Sequence, residues 1–344
     1  MIPYLICFIL PVIASFLPKK SIKNKKLFIA VLLLPFCILI AFKHKSVGAD
    51  TMAYNKIFER MYDGTFWYES SYQKMEIGFV GLIWLLTRIT AFTQIQYILL
   101  SIFFLITFIY FLFDNTEDYA LFLLLFYSLN VFSFFLTGLR QSIAILICFW
   151  GFNQARKKHF MRFIILVALA FLFHKSSIIF LIVYWCINKQ FKKNNIIWYI
   201  LFFIVIALFN ESLFSIGNEI FDANYGIEYV GNGYIMVAIM AIITIMSFFF
   251  YMKLVKLNVF NAALIELNVV CMGLWILRLF SRTAERLSLY FMPFTILLVC
   301  QLIGMIDRKI DKSIVSIILI SLTLFLFIYK LNNLGLTSYR FFWD

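Results

Sequence analysis

The chain alternates long apolar runs with short polar breaks, which is the rhythm of a helical membrane protein. A run of about 17–25 apolar residues carries one helix across a bilayer. Helices are favoured there because they satisfy their own backbone hydrogen bonds. The pattern predicts spans at 1–17, 27–42, 95–113, 119–136, 140–155, 160–173, 177–187, 196–209, 233–252, 259–280, 287–305 and 313–330. The expected fold class is therefore all-α: one polytopic transmembrane domain over 1–344 with about 12 spans. Outer loops are expected at 43–75 and 210–232. The run 76–89 is too short for an easy crossing and suits a re-entrant or interfacial helix. The limbs 160–173 and 177–187 are short as well, which suits broken helices around His174-Lys175-Ser176-Ser177.

The charges orient these spans. Basic residues gather at 19–26, 156–162, 189–193, 253–256 and 308–312, and loops rich in Lys and Arg face the cytoplasm. Both termini then lie outside. If 76–89 crossed, Arg156, Lys157, Lys158 and Arg162 would fall on the wrong side, so it is expected not to cross. Asp50, Glu76, Arg140, His174 and the Arg278–Arg286 stretch all reach the outer face in this topology, although only the basic loops were used to set it. The composition agrees: 64% hydrophobic and 14% charged over 344 residues is outside the soluble range. The net charge of +13 belongs to the inner loops, so no nucleic-acid partner is expected. The run 1–17 lacks a basic n-region and a cleavage site, so it is expected to be retained as a span. Cys7, Cys37, Cys148, Cys186, Cys271 and Cys300 lie inside apolar runs without metal-ligand spacing. No metal and no cofactor is expected.

The polar residues within this apolar frame carry the chemistry. The stretch Leu277–Arg286 holds Arg278, Arg282, Arg286 and Glu285 between two apolar runs. On one continuous helix the arginines fall at i, i+4 and i+8 and line one face, with Glu285 beside it to pair with Arg282 or Arg278. Guanidiniums bind phosphate through two oxygens at once, so the row suits a polyanion; the other reading is arginines snorkelling to headgroups. Gly138 opens a turn that starts a helix with Arg140, where free N–H groups also favour anions; the plainer reading is an interfacial anchor. His174 is the histidine within the apolar part, and a histidine can take a proton near neutral pH. A packed histidine satisfied by Ser176 is the alternative. Asp50, after Gly48-Ala49, is read as a base, as a group that orients a hydroxyl, or as an ordinary solvated turn. His174 is expected to be closer to the chemistry, because the tip of two short limbs is drier than a loop. Glu76 reads most simply as a charge beside a helix dipole, and the many aromatics as lipid-facing or belt residues.

These stretches, in this order, resemble the EpsG-like family of bacterial polysaccharide-repeat polymerases, of the Wzy type. The matching residues are Val47-Gly48-Ala49-Asp50-Thr51 with Tyr54, Glu76-Ile77-Gly78-Phe79, and Leu139-Arg140-Gln141-Ser142-Ile143-Ala144. Ala168–Ser176 and Arg278–Tyr290 follow, so the resemblance covers about residues 1–305. Where the family places an arginine before the Gly-x-Asp turn, this chain has Lys43, His44 and Lys45.

The resemblance implies a GT-C-like membrane glycosyltransferase at the outer face of the bacterial plasma membrane. It would move a growing glycan from its undecaprenyl diphosphate to a hydroxyl of a new lipid-linked repeat. His174 and Asp50 are then the catalytic candidates. Arg140, Arg278, Arg282 and Arg286 are the diphosphate-binding candidates, supported by Glu76, Gln141, Tyr54 and Glu285. Lipid-linked glycans, the bilayer, a chain-length regulator and a flippase are the implied partners. Two rival readings are a flippase for lipid-linked oligosaccharide and a ligase. A flippase is expected to spread polar residues through the depth of the bundle, and here they gather at one face.

Overall fold

The computed structural model describes residues 2–18, 22–68, 75–129, 131–188, 233–306, 309–333 and 338–344, with isolated positions between 198 and 216. The expected span 196–209 and outer loop 210–232 lie largely outside the described residues, as do Lys189, Lys192 and Lys193. The described secondary structure is helical, as the apolar runs require. Among the described residues the sole β feature is an isolated antiparallel bridge between Lys43 and Phe341.

The α-helices are α1 (Ile2–Ser15), α2 (Lys25–Ala41), α3 (Thr51–Tyr62), α4 (Ile77–Ile89), α5 (Ile95–Asn115), α6 (Tyr119–Ser128), α7 (Val131–Thr137), α8 (Leu139–Arg156), α9 (Phe160–Phe173), α10 (Ile182–Asn188), α11 (Tyr234–Phe249), α12 (Tyr251–Leu257), α13 (Asn261–Arg278), α14 (Arg282–Ser288), α15 (Met292–Gly304) and α16 (Lys309–Asn333). By length and composition three of these can cross a membrane: α5, α13 and, within α16, Val315–Asn332. The pairs α6–α7 and α11–α12 are bent by 66° and 74°, and counting each pair as one span brings the number to five. The other apolar runs form shorter helices. Where twelve plain spans were expected, several runs are bent or broken, because a turn inside a bundle can satisfy its freed backbone groups on neighbouring protein.

The chain divides into two units: 1–151 with 164–178 and 313–344, and 152–163 with 179–312. In the first, α2 and α5 run antiparallel. Lys25 pairs with Glu117 at 2.8 Å at one end, and the Gln94 amide donates to Ala41 O at 2.7 Å at the other. The core between helices is aromatic. Phe36 meets Phe104 at 5.3 Å and Phe126, Tyr127 and Phe132 at 5.8–6.0 Å, while Phe104 stacks on Phe108 at 4.1 Å and Phe111 on Phe149 at 4.6 Å. The reading of the phenylalanines as mainly lipid-facing is thus corrected for this unit. Lipid is as apolar as a side chain, so packing fit rather than hydrophobicity decides which rings turn inward, and each edge-to-face or stacked pair adds about 0.5–1.5 kcal/mol.

Helix α4, at 13 residues, is shorter than a plain membrane crossing needs. At its start, Glu76 is held beside Tyr54 of α3 through Arg140. After its end, Gln94 bonds Ala41 and Lys43, and Lys43 in turn bonds Thr51 at the start of α3. Both ends are tethered to the same α2–α3 segment. In the second unit α13 is the hub, packed on α11, α14 and α15. Its buried Asn268 amide donates to Thr244 Oγ1 at 2.8 Å, a polar tie inside an apolar bundle.

Candidate active site

In the first unit the ends of several elements converge, and each carries one polar side chain. The Val47–Thr51 turn leads into α3. Gly48 has φ +91°, a left-handed conformation that favours glycine, and a Cβ there would sit 2.4 Å from Leu136 O. This close approach seats Asp50 immediately before α3. Glu76 is the N-cap of α4 in extended conformation. Two residues on, a Cβ at Gly78 would lie 2.7 Å from Leu172 O, so glycine lets the first turn of α4 pack directly on the last turn of α9. That packing brings Glu76 to His174, which follows α9. Arg140 is in the first turn of α8, as the Gly138 turn predicts.

Glu76, His174, Arg140 and Tyr54 form one cluster, with Asp50 beside it. The His174 Nδ1–H donates to Glu76 Oε1 at 3.0 Å, and Arg140 Nη1 donates to Glu76 Oε2 at 2.5 Å. The Tyr54 hydroxyl lies beside the Arg140 guanidinium. Asp50 is near enough to act electrostatically on Tyr54. Glu76 is largely shielded, with a side-chain exposure of 9%. Burial alone would push its carboxyl up, but the His174 hydrogen bond and the Arg140 charge overcome this and hold it at about 2. An ionised carboxylate only accepts hydrogen bonds, so the imidazole proton sits on Nδ1 and the Nε2 lone pair is left over. Nε2 has no hydrogen-bond partner among the described residues. A carboxylate that fixes the tautomer of a histidine and stabilises its protonated form is the arrangement of a positioned general base. Arg140 Nε is also buried without a partner among the described residues. Gln141, next to Arg140, is buried at 3% exposure.

In the second unit the arginine stretch is not one helix. Helix α13 ends at Arg278, and Ser281 caps a new helix with its hydroxyl accepting from Thr283 N–H at 3.3 Å. The expected common face of Arg278, Arg282 and Arg286 is therefore corrected: Arg278 closes one helix, and Arg282 and Arg286 belong to the next. Arg278 is buried at 6% exposure, and its Nε donates to Glu285 Oε2 at 2.7 Å. Arg286 is exposed, and the side chain of Arg282 lies outside the described residues. Among the described residues no cluster of His, Cys, Asp or Glu is placed to hold a metal ion.

A sequence model of the EpsG family matches residues 26–342. The chain belongs to the EpsG family. No curated protein and no solved structure gives a significant match. The family match runs through both units and makes this a membrane protein of a polysaccharide-synthesis family. Within this EpsG protein, sequence reasoning underrated Glu76 and missed Lys43 as an internal clasp. The signal for Glu76 was the glycine two positions on, which permits a backbone contact that no longer side chain allows.

Proposed function

We propose that this EpsG-family protein is a glycosyltransferase that polymerises undecaprenyl-diphosphate-linked repeat units at the outer face of the plasma membrane, with its shorter apolar helices completing a GT-C-like bundle of about 12 spans. The observation that carries the reading is the single carboxylate of Glu76 shared between His174 and Arg140. His174 Nε2 takes the proton from an acceptor sugar hydroxyl. The freed oxygen forms a bond to the anomeric carbon of the donor, whose bond to the diphosphate oxygen breaks, and the electron pair leaves with the diphosphate. The imidazolium so formed lies against an ionised Glu76, which lowers the cost of that charge. Positive side chains stabilise the growing charge on the leaving group; Arg140 is the candidate in the first unit, and Arg278, Arg282 and Arg286 are the candidates in the second. Asp50 and Tyr54 orient the acceptor. Gln141 backs Arg140, and Glu285 orients Arg278. A chain-length regulator and a flippase are the protein partners this reading calls for.

The test in cells is deletion of the gene followed by electrophoresis of surface glycan. Material of a single repeat length supports polymerisation. Loss of all surface glycan with lipid-linked repeats retained inside contradicts it and identifies a flippase instead.

A further inference from the structure

The last residues of the chain fold back onto the segment that leads into the Asp50 turn. His44 N–H donates to Arg340 O at 3.0 Å, and Phe342 N–H donates to Phe42 O at 2.9 Å. The Tyr339 hydroxyl donates to Leu39 O at 2.8 Å. The Phe342 ring lies 6.0 Å from Phe42 and 5.8 Å from Phe92. Lys43, the residue whose backbone the tail brackets, has a buried side chain with 2% exposure. Its ammonium donates to Thr51 Oγ1 at 3.0 Å and to Leu136 O, and lies 4.3 Å over the Tyr97 ring. Thr51 Oγ1 then donates to Val47 O at 2.6 Å, which closes the turn that holds Asp50. A continuous chain of bonds thus runs from residues 339–342 through Lys43 to the residue beside Asp50.

An isolated β-bridge is weak, and a buried ammonium is costly unless each proton is placed. The combination is accounted for if the two together set a position. We propose that the C-terminal segment 338–344 is a strap that, through Lys43, fixes the Asp50 turn, making Lys43 and Phe342 positioning residues. The importance of this for turnover rests on the reading of Asp50 as an acceptor-orienting group; the strap itself does not.

The test uses purified full-length protein with the six native cysteines replaced and a Val47→Cys reporter, since Val47 is buried in the Asp50 turn and a thiol there labels only when the turn opens. The maleimide labelling rate is compared among the parent, a chain ending at Thr337, Phe342→Pro and Lys43→Met. Phe342→Pro removes one of these hydrogen bonds, Lys43→Met two and the shortened chain three, so the rate should rise about fivefold or more in each variant. Acceptor KM should rise with kcat and its pH profile kept. Phe342→Pro decides the matter if the shortened chain does not fold. Labelling within about twofold of the parent in folded Phe342→Pro and Lys43→Met, a change smaller than one net hydrogen bond, overturns the strap. Faster labelling with unchanged acceptor KM leaves the strap standing and removes Asp50 from acceptor binding.

Discussion

The two units of this EpsG protein arrange charge on opposite plans. In the first, one shielded carboxylate serves two partners: Glu76 accepts from Arg140 and from His174, so these three groups carry no net charge until the imidazole takes a proton. In the second, Arg278 Nε donates to Glu285 Oε2, and the stretch 278–286 holds three arginines to one carboxylate in sequence. A neutral, shielded cluster suits proton handling, because a proton gained is the one charge that changes there. A cationic group suits an anion that arrives already charged. Under the proposed function the first unit's cluster suits proton handling and the second unit's arginines suit an anion, and Arg140 has the chemistry for either.

Four substitutions or conditions sharpen or break this division. The largest effect is expected from Glu76→Gln, which removes the acceptor that fixes the His174 tautomer. Polymerisation of purified lipid-linked repeats should fall about 10²–10⁴-fold, and wild-type turnover in this variant would end the dyad reading. Next, Arg278→Lys should lose activity nearly as far as Arg278→Ala, about tenfold or more, because lysine keeps the charge but not the fork. Full activity of Arg278→Lys at equal protein level would reduce that arginine to a structural ion pair. Smaller is Gly78→Ala: a methyl 2.7 Å from Leu172 O should cost about 1–3 kcal/mol in thermal unfolding. It should also slow turnover by separating Glu76 from His174; an unchanged Tm and rate would show that α4 and α9 do not need their close contact.

The smallest effect is on stability in acid. Because the Glu76 carboxyl is held at about 2, below its ordinary 4.5, its contribution is full above about 4.5 and is lost as pH falls toward 2. Tm measured across that window should drop more steeply for the wild type than for Glu76→Gln. Equal slopes would mean that the ion pair adds nothing to the fold.

Much of this was legible in the sequence. Run lengths announced an all-helical membrane protein, and the short apolar run 76–89 forms a helix of 13 residues tied to its neighbours at Glu76 and Gln94. Gly138 announced the turn before Arg140. What failed did so for local reasons. The i, i+4, i+8 spacing of Arg278, Arg282 and Arg286 presumed an unbroken helix, yet Ser281 followed by Glu285 is itself a helix-start signal. Glu76 read as a dipole partner because its true partners are 64 and 98 residues away, and no periodicity reports a contact at that separation. Lys43 read as a loop cation, and only packing shows that its ammonium is buried against Tyr97.

The central claim is that His174, positioned by Glu76, is the base for glycan transfer. The most direct measurement is the pH dependence of polymerisation on purified lipid-linked repeats by the wild type, His174→Gln and Asp50→Asn at equal protein level. The account predicts that His174→Gln loses the acidic limb of the profile and about 10²–10⁴-fold in rate, whereas Asp50→Asn keeps that limb and chiefly weakens acceptor use. Normal polymer from His174→Gln, with none from Asp50→Asn, would contradict it and move the base to Asp50.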